Sequence, residues 1–334
     1  MGKLLTKDLE KMLGCIKKNP RVIIPPLPGF DSGVHLANRN KCTVVSTDPC
    51  INVPEKWFGW LLINYAASDV ALFGAKPEFC TINLLGSPAT RPQTFRNIMQ
   101  QVCRAANELQ MAIVTGHTGT YKGISTHIGV CTAYGTIDQG KLITPGGAKP
   151  GDYIFCTKPV GLEVAVNFAL THRVAARRMF GVQKTQELEE LVTMQSCVRE
   201  ALLLAETARV HAMHDATEGG LTAALNEMAE ASKVGFKVNF DSIPICKEVQ
   251  TLRQHFQLSD KQLLSMSSTG TILASVGPDA KGKVEATMRR NKIQANVLGI
   301  FTKEMRRILL THNREASFPK DTNDPYARIL SGKL

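Results

Sequence analysis

The stretch His214-Asp215-Ala216-Thr217-Glu218-Gly219-Gly220 joins an apolar, strand-like run at 210–213 to a helical pattern that starts at Leu221. Glycines at such a junction let a ligand approach the backbone closely. The first N–H groups of the helix lack partners and carry partial positive charge, which suits a phosphate. Asp215 would repel phosphate oxygens unless a cation stood between them. Mg²⁺ fits that place, because it accepts one or two carboxylates together with phosphate oxygens. The same residues also fit a plain helix start with Thr217 as N-cap. His211 and His214 stand three apart on a strand and point to opposite faces, so a paired zinc site is not expected.

A second stretch, Thr115-Gly116-His117-Thr118-Gly119-Thr120, follows an apolar strand at 111–114. It reads as a loop whose small, hydroxylated residues could touch a nucleotide. It has neither the spacing nor the lysine of a Walker loop. Three further acids draw attention. Asp48 follows a strand at 42–46 in Thr47-Asp48-Pro49, Asp31 sits in Gly29-Phe30-Asp31-Ser32-Gly33, and Asp69 lies in the apolar run Ala66-Ala67-Ser68-Asp69-Val70-Ala71-Leu72. A carboxylate embedded like Asp69 must be paired, protonated or bound to a metal, since a lone buried charge costs too much. Asp31 fits a turn equally well, and Asp48 a strand cap.

The elements that would carry these residues follow from periodicity. A helix is expected at 57–73, with Gly74 as its left-handed C-cap and Pro77 barring continuation. A second helix is expected at 92–109, with Thr90 as N-cap and an apolar stripe of Phe95, Ile98, Met99, Val102, Ala105, Ala106 and Leu109. A strand at 127–134 closes the first half. Turn residues crowd at 144–152, which places a domain boundary there, dividing the chain into 1–148 and 149–334. The second half reads as a strand at 153–157, a long helix at 184–208 and the strand at 210–213. A helix with Leu221, Ala224, Leu225, Met228 and Ala229 on one face follows. Strands near 236–240, 269–276, 295–301 and 307–311 come next, with a helix near 280–290 between the middle two. This mixed order argues for an α+β fold.

Composition sets the outer limits. The 334 residues suggest roughly two domains. The 43% hydrophobic content supplies packed cores, yet no apolar run is long enough to span a membrane. The charged start lacks the apolar region of a secretory signal, which favours a cytoplasmic protein. None of the nine cysteines forms a CxxC pair, and several lie in apolar runs, so they read as buried, reduced thiols. The net charge of +11 is spread without a basic block. With no DNA- or RNA-binding signature, that charge fits a small anionic substrate better than nucleic acid.

Together the motifs resemble the aminoimidazole ribonucleotide synthetase superfamily. The resemblance rests on Thr47-Asp48 at a strand end, Ser68-Asp69-Val70 on a helix closing in Gly74-Ala75-Lys76-Pro77, and the loop Thr115-Gly116-His117-Thr118. Pro150-Gly151-Asp152 and the run 214–221 complete it. It is similar above all to the hydrogenase-maturation dehydratase branch. The superfamily also holds selenophosphate synthetase and thiamine monophosphate kinase.

The resemblance implies a two-domain α+β fold. The N-terminal domain's strands would pair with a second subunit in a barrel-like homodimer interface, followed by a C-terminal α/β domain. It implies ATP and Mg²⁺ as cofactors, with Asp31, Asp48, Asp69 and Asp215 on the metal. Thr47, Lys76, Thr115, Gly116, Thr118, Thr217, Glu218, Gly219 and Gly220 would contact the nucleotide, and His117, His214 and Asp215 would stand at the chemistry.

Two departures bear on the reaction. Relatives carry Asp where this chain has His117, and an oxygen-preferring metal site would change there. The maturation dehydratase ends in a cysteine that carries the group to be dehydrated, whereas no cysteine follows Cys246 here. The expectation is therefore an ATP-dependent enzyme acting on a separate small molecule. The alternatives are a small-molecule kinase like thiamine monophosphate kinase, or a nucleotide-responsive partner protein without turnover.

Overall fold

The computed structural model describes residues 6–207, 209–312 and 314–331. The chain divides into two compact units, one of residues 10–142 and one built on residue 143 onward. Helix α1 (Thr6–Leu13) opens the chain.

The first unit contains β1 (Val22–Ile24), β2 (Gly33–Leu36), β3 (Lys41–Ile51), α2 (Phe58–Leu72), β4 (Phe79–Gly86), α3 (Pro92–Glu108), β5 (Ala112–Thr120) and β6 (Ile128–Asp138). Its six-stranded sheet runs β1-β2-β3-β6-β4-β5. Only β4 and β5 pair in parallel. Strand alternation sets one buried face: Cys42, Val44, Ser46 and Cys50 of β3, and Cys131, Ala133 and Gly135 of β6. Helix α2 packs on that face against β3 and β6, with α3 beside it. Helix α2 is apolar almost all round and correspondingly buried. Helix α3 buries Ile98, Val102, Ala105 and Ala106, the centre of the expected stripe.

Several expectations need correction here. Strand β3 does not stop at residue 46 but continues to Ile51 through Thr47, Asp48 and Pro49. Its pairing with β2 ends at Val45, so Pro49 has β6 on one side only, where a missing N–H is tolerated. The stretch 115–120 is not a loop. It is the second half of β5, held in register with β4 from Thr81↔Thr115 to Gly86↔Thr120. Strand β4 itself was not read from the sequence. The N-cap of α3 is Arg91 rather than Thr90, with Pro92 at the first helical position. Gly74 does adopt the left-handed conformation, at φ +83°.

The second unit contains β7 (Tyr153–Thr157), α4 (Leu162–Thr171), α5 (Arg173–Phe180), α6 (Val182–Glu190), α7 (Val198–Ala205), β8 (Val210–Ala216), α8 (Gly220–Ser232), β9 (Gly235–Asn239), α9 (Lys247–His255) and α10 (Asp260–Leu264). Then follow β10 (Ser268–Val276), α11 (Lys281–Arg290), β11 (Ala295–Thr302), β12 (Arg307–Thr311), β13 (Arg314–Ser317) and α12 (Tyr326–Leu330). The seven-stranded sheet runs β13-β12-β9-β11-β7-β10-β8, with β9 and β12 parallel and its other pairs antiparallel. Its core joins Ile154, Phe236, Leu273 and Phe301 to Leu221, Ala224, Leu225, Met228 and Ala229 of α8.

The long helix expected at 184–208 is broken, and residue 208 lies outside the described residues. A 3-10 turn at Leu191–Gln195 separates α6 from α7. Lys158 is buried against that break. Its ammonium donates to the carbonyls of Met194 (3.0 Å) and Ser196 (2.6 Å) and pairs with Glu200 (3.0 Å). Carbonyls released from a helix need donors, and this cation supplies them. Helices α4, α5, α9, α10 and α12 stand beyond the elements expected from the sequence.

Candidate functional site

In the first unit, Asp48 and Asp69 face the same layer. Asp48 takes the place of a buried residue in the alternation of β3, on the side covered by α2. Asp69 is 6% exposed on α2, and Ser46 Oγ, two residues from Asp48, donates to its Oδ2 at 2.7 Å. A mostly apolar helix therefore carries one carboxylate, directed at the strand that holds the other. Asp31 precedes Gly33, whose register partner is Val45, so it lies on the side toward which β3 continues to Asp48. Cys131, the register partner of Asp48, has its thiol pushed up by its contact with Cys80, by burial and by the charge of Asp48.

The hydroxyl residues lie elsewhere on the sheet. Thr47 and Thr132 are register partners on the uncovered face, and Thr132 Oγ1 donates to Thr47 Oγ1 at 3.0 Å. Thr81 pairs with Thr132 and Thr115 with Thr81, so four threonines form one row across β3, β6, β4 and β5. His117 pairs with Asn83 on this same face, exposed, with Nε2 2.6 Å from the Tyr121 hydroxyl. The sheet thus separates His117, Thr47 and Thr115 from Asp48 and Asp69. Gly116 and Thr118 alternate to the other side of β5. Lys76 Nζ donates to Gln110 Oε1 at 2.8 Å.

In the second unit, His214 and Asp215 still belong to β8 and are 2% and 3% exposed. His214 Nε2 lies 2.8 Å from Glu227 Oε2 on α8, and its Nδ1 lies 3.7 Å from Asp215 Oδ1. Glu227 thereby fixes the ring of His214. The turn into α8 is capped by Gly219, not Thr217. Gly219 and Gly220 both hold positive φ, +81° and +56°. A Cβ at 220 would lie 2.4 Å from the Met266 carbonyl, so this turn admits only glycine there. Thr217 is half-buried and its carbonyl accepts from Gly220 N–H, while Glu218 is exposed.

Both halves suit the groups that the motifs imply. Mg²⁺ takes oxygen ligands, and Asp48, Asp69 and Ser46 offer only oxygens. A phosphate takes N–H donors at a helix start; Gly219 N–H is such a donor, met in this fold by the carboxylate of Asp324. The sequence missed Ser46, Glu227, Ser267 and Asp324. Each lies at least 13 residues from the group it holds, and no local pattern joins them.

Known proteins resemble this chain over most of its length. Residues 29–137 match the N-terminal domain of AIR synthase related protein, and residues 149–310 match its C-terminal domain. A putative hydrogenase expression/formation protein of Methanocaldococcus jannaschii is 26% identical over 75% of this chain and 72% of its own length. A selenide, water dikinase of Myxococcus xanthus is 28% identical over 76% and 70%. A carbamoyl dehydratase HypE of Bradyrhizobium diazoefficiens is 26% identical over 70% and 65%. A hydrogenase maturation protein HypE solved in complex with ATP superposes with a TM-score of 0.72 at 18% identity, over 92% of each chain. Two mixed sheets, the order of the motifs and both domain matches lead to one conclusion: the chain belongs to the AIR synthase related family.

Proposed function

We propose that the protein is an ATP- and Mg²⁺-dependent enzyme that activates a carbonyl- or amide-type oxygen of a small molecule by phosphorylation. One observation carries the reading: the buried carboxylate of Asp69, set on an apolar helix and turned toward the strand that bears Asp48. A divalent metal that takes oxygen ligands would draw both carboxylates toward it and offset the cost of burying their charge. The match to a relative solved with ATP supports the nucleotide.

In this reading, residues 1–148 bind ATP and dimerise, and Asp31, Asp48 and Asp69 serve the metal there. Thr47, Lys76, Thr115, Gly116 and Thr118 are assigned to the nucleotide. In residues 149–334, Asp215 serves the metal, and the turn of Thr217, Glu218, Gly219 and Gly220 meets phosphoryl oxygens. His214, oriented by Glu227, is the candidate to hold or move a proton at Nδ1, beside Asp215. His117, exposed beside Tyr121, is retained as a second candidate. Bound Mg·ATP supplies the transferable phosphoryl group and neutralises the charge that develops on it.

Titration calorimetry with Mg·ATP tests the metal assignment. Asp48→Asn, Asp69→Asn and Asp215→Asn should each weaken Mg²⁺-dependent affinity at least about tenfold, because each removes a charged ligand contact. Circular dichroism should show the fold intact. Unchanged affinity in all three variants would refute the reading.

A phosphotransferase is the second reading, favoured by the match to selenide, water dikinase. A phosphorylated product would support it, whereas ADP with a dehydrated or cyclised product supports the first. Tight ATP binding without turnover on any metabolite would point to a nucleotide-responsive partner protein. A homodimer through the first sheet is part of the proposal. Its uncovered face and its edge strand β5 expose Ile51, Phe79, Ile113 and Val114, apolar area that a second copy would cover. Among the described residues no helix is long and apolar enough to cross a membrane.

A further inference from the structure

After β13 the chain runs back across the turn that starts α8. Phe318 is buried, and Asn226 Nδ2 donates to the carbonyls of Pro319 (2.9 Å) and Lys320 (3.5 Å). Thr322 then leans on Gly219, so close that a Cβ at 219 would lie 2.7 Å from its methyl group. Next, Asp324 places its carboxylate in the turn. Oδ2 accepts from Gly219 N–H (3.2 Å) and Ser267 Oγ (2.5 Å), and Oδ1 from Ser267 N–H (3.4 Å) and Tyr326 N–H (2.9 Å). Beyond it, Tyr326 OH accepts from Asn167 Nδ2 at 3.0 Å, Arg328 donates to the Phe256 carbonyl at 3.0 Å, and Ile329 is fully buried.

The hydrogens that Asp324 takes are those a phosphoryl oxygen would need. Apart from its own Tyr326 N–H, they comprise an amide at the start of a thirteen-residue helix, and the hydroxyl and amide of Ser267. Two anions cannot share them, because both would compete for the same donors and repel each other at contact distance. Glu163 stands beside this seat. It is buried, its Oε2 accepts from Thr269 N–H at 2.9 Å, and it feels both Asp324 and Glu218. The apolar anchors Phe318 and Ile329 flank Asp324 on either side, so the middle can lift while its ends stay docked.

We propose that residues 319–330 form a strap whose Asp324 plugs the anion seat of Gly219 and Ser267, and that this carboxylate must leave before a phosphoryl oxygen can enter. The proposal rests on the reading of the turn as a phosphate contact.

The test uses the full chain, Mg²⁺ and the non-hydrolysable β,γ-imido analogue of ATP. Calorimetry gives the affinity, and hydrogen exchange follows residues 319–326. Asp324→Ala should bind about tenfold more tightly than the wild type, the value of a charged hydrogen-bonded competitor. Asp324→Asn, which keeps the size and loses the charge, should fall between them and covers the case of a poorly folded alanine variant. Saturating analogue should speed exchange across 319–326 in the wild type. Affinities in the variants at or below wild type, or unchanged exchange at saturation, would overturn the strap while the ATP reading stands. Absence of binding to every protein, wild type included, would overturn both.

Discussion

Glu163 opens α4 with 7% of its surface exposed. Burial pushes its carboxyl up to about 7, the nearby charges of Asp324 and Glu218 push the same way, and the Thr269 N–H opposes them. In an unfolded chain a glutamate titrates near about 4.3. The folded protein thus keeps a proton that the unfolded chain has lost between those values. This contribution to stability is full below about pH 4.3 and disappears as pH rises through 7, amounting to about 4 kcal/mol. Glu163→Gln keeps an acceptor for Thr269 and cannot ionise. Thermal melting of that variant should show a flatter decline between pH 4.5 and 8, and a decline as steep as the wild type's would assign the slope to other groups. The sequence announced Asp69 by its apolar surroundings, which demand a partner. It could not announce Ser46, 23 residues away on another element, nor Asp324, 105 residues from Gly219. Such partners are created by the fold.

Among the elements, α3 and α8 were legible because apolar residues repeat with the helical period, and α2 because a long apolar run ends at Gly74 and Pro77. Strand β5 was not, since Gly and Thr dominate its second half and its extended form depends on β4. The break between α6 and α7 was hidden too. It depends on a lysine held at φ +59° more than thirty residues earlier. Placement of β5 at the sheet edge carries its own prediction. Lysines on an edge strand oppose pairing with another chain. In the proposed homodimer, the double variant Ile113→Lys, Val114→Lys should therefore halve the mass seen by light scattering, with melting shifted by only a few degrees, about 1 kcal/mol, because both positions are exposed. A wild type that is already monomeric at micromolar concentration would remove the premise.

At the scale of the whole molecule, the thiols report on packing in both units. Cys15 and Cys103 are exposed, six others are buried, and Cys246 is half-buried with its thiol pushed up to about 11, chiefly by burial. Only a thiolate reacts readily. Of the nine cysteines, a maleimide at pH 8 should label two within minutes and the other seven only after denaturation. Rapid labelling of four or more would mean that the interior of at least one unit opens easily. The order of strands in the second sheet has a consequence for biosynthesis. Strand β9 is flanked by β11 and β12, both of which follow it by more than fifty residues. A nascent chain leaving the ribosome must hold β9 without neighbours until β11 and β12 have emerged more than fifty residues later, so this sheet closes late in synthesis.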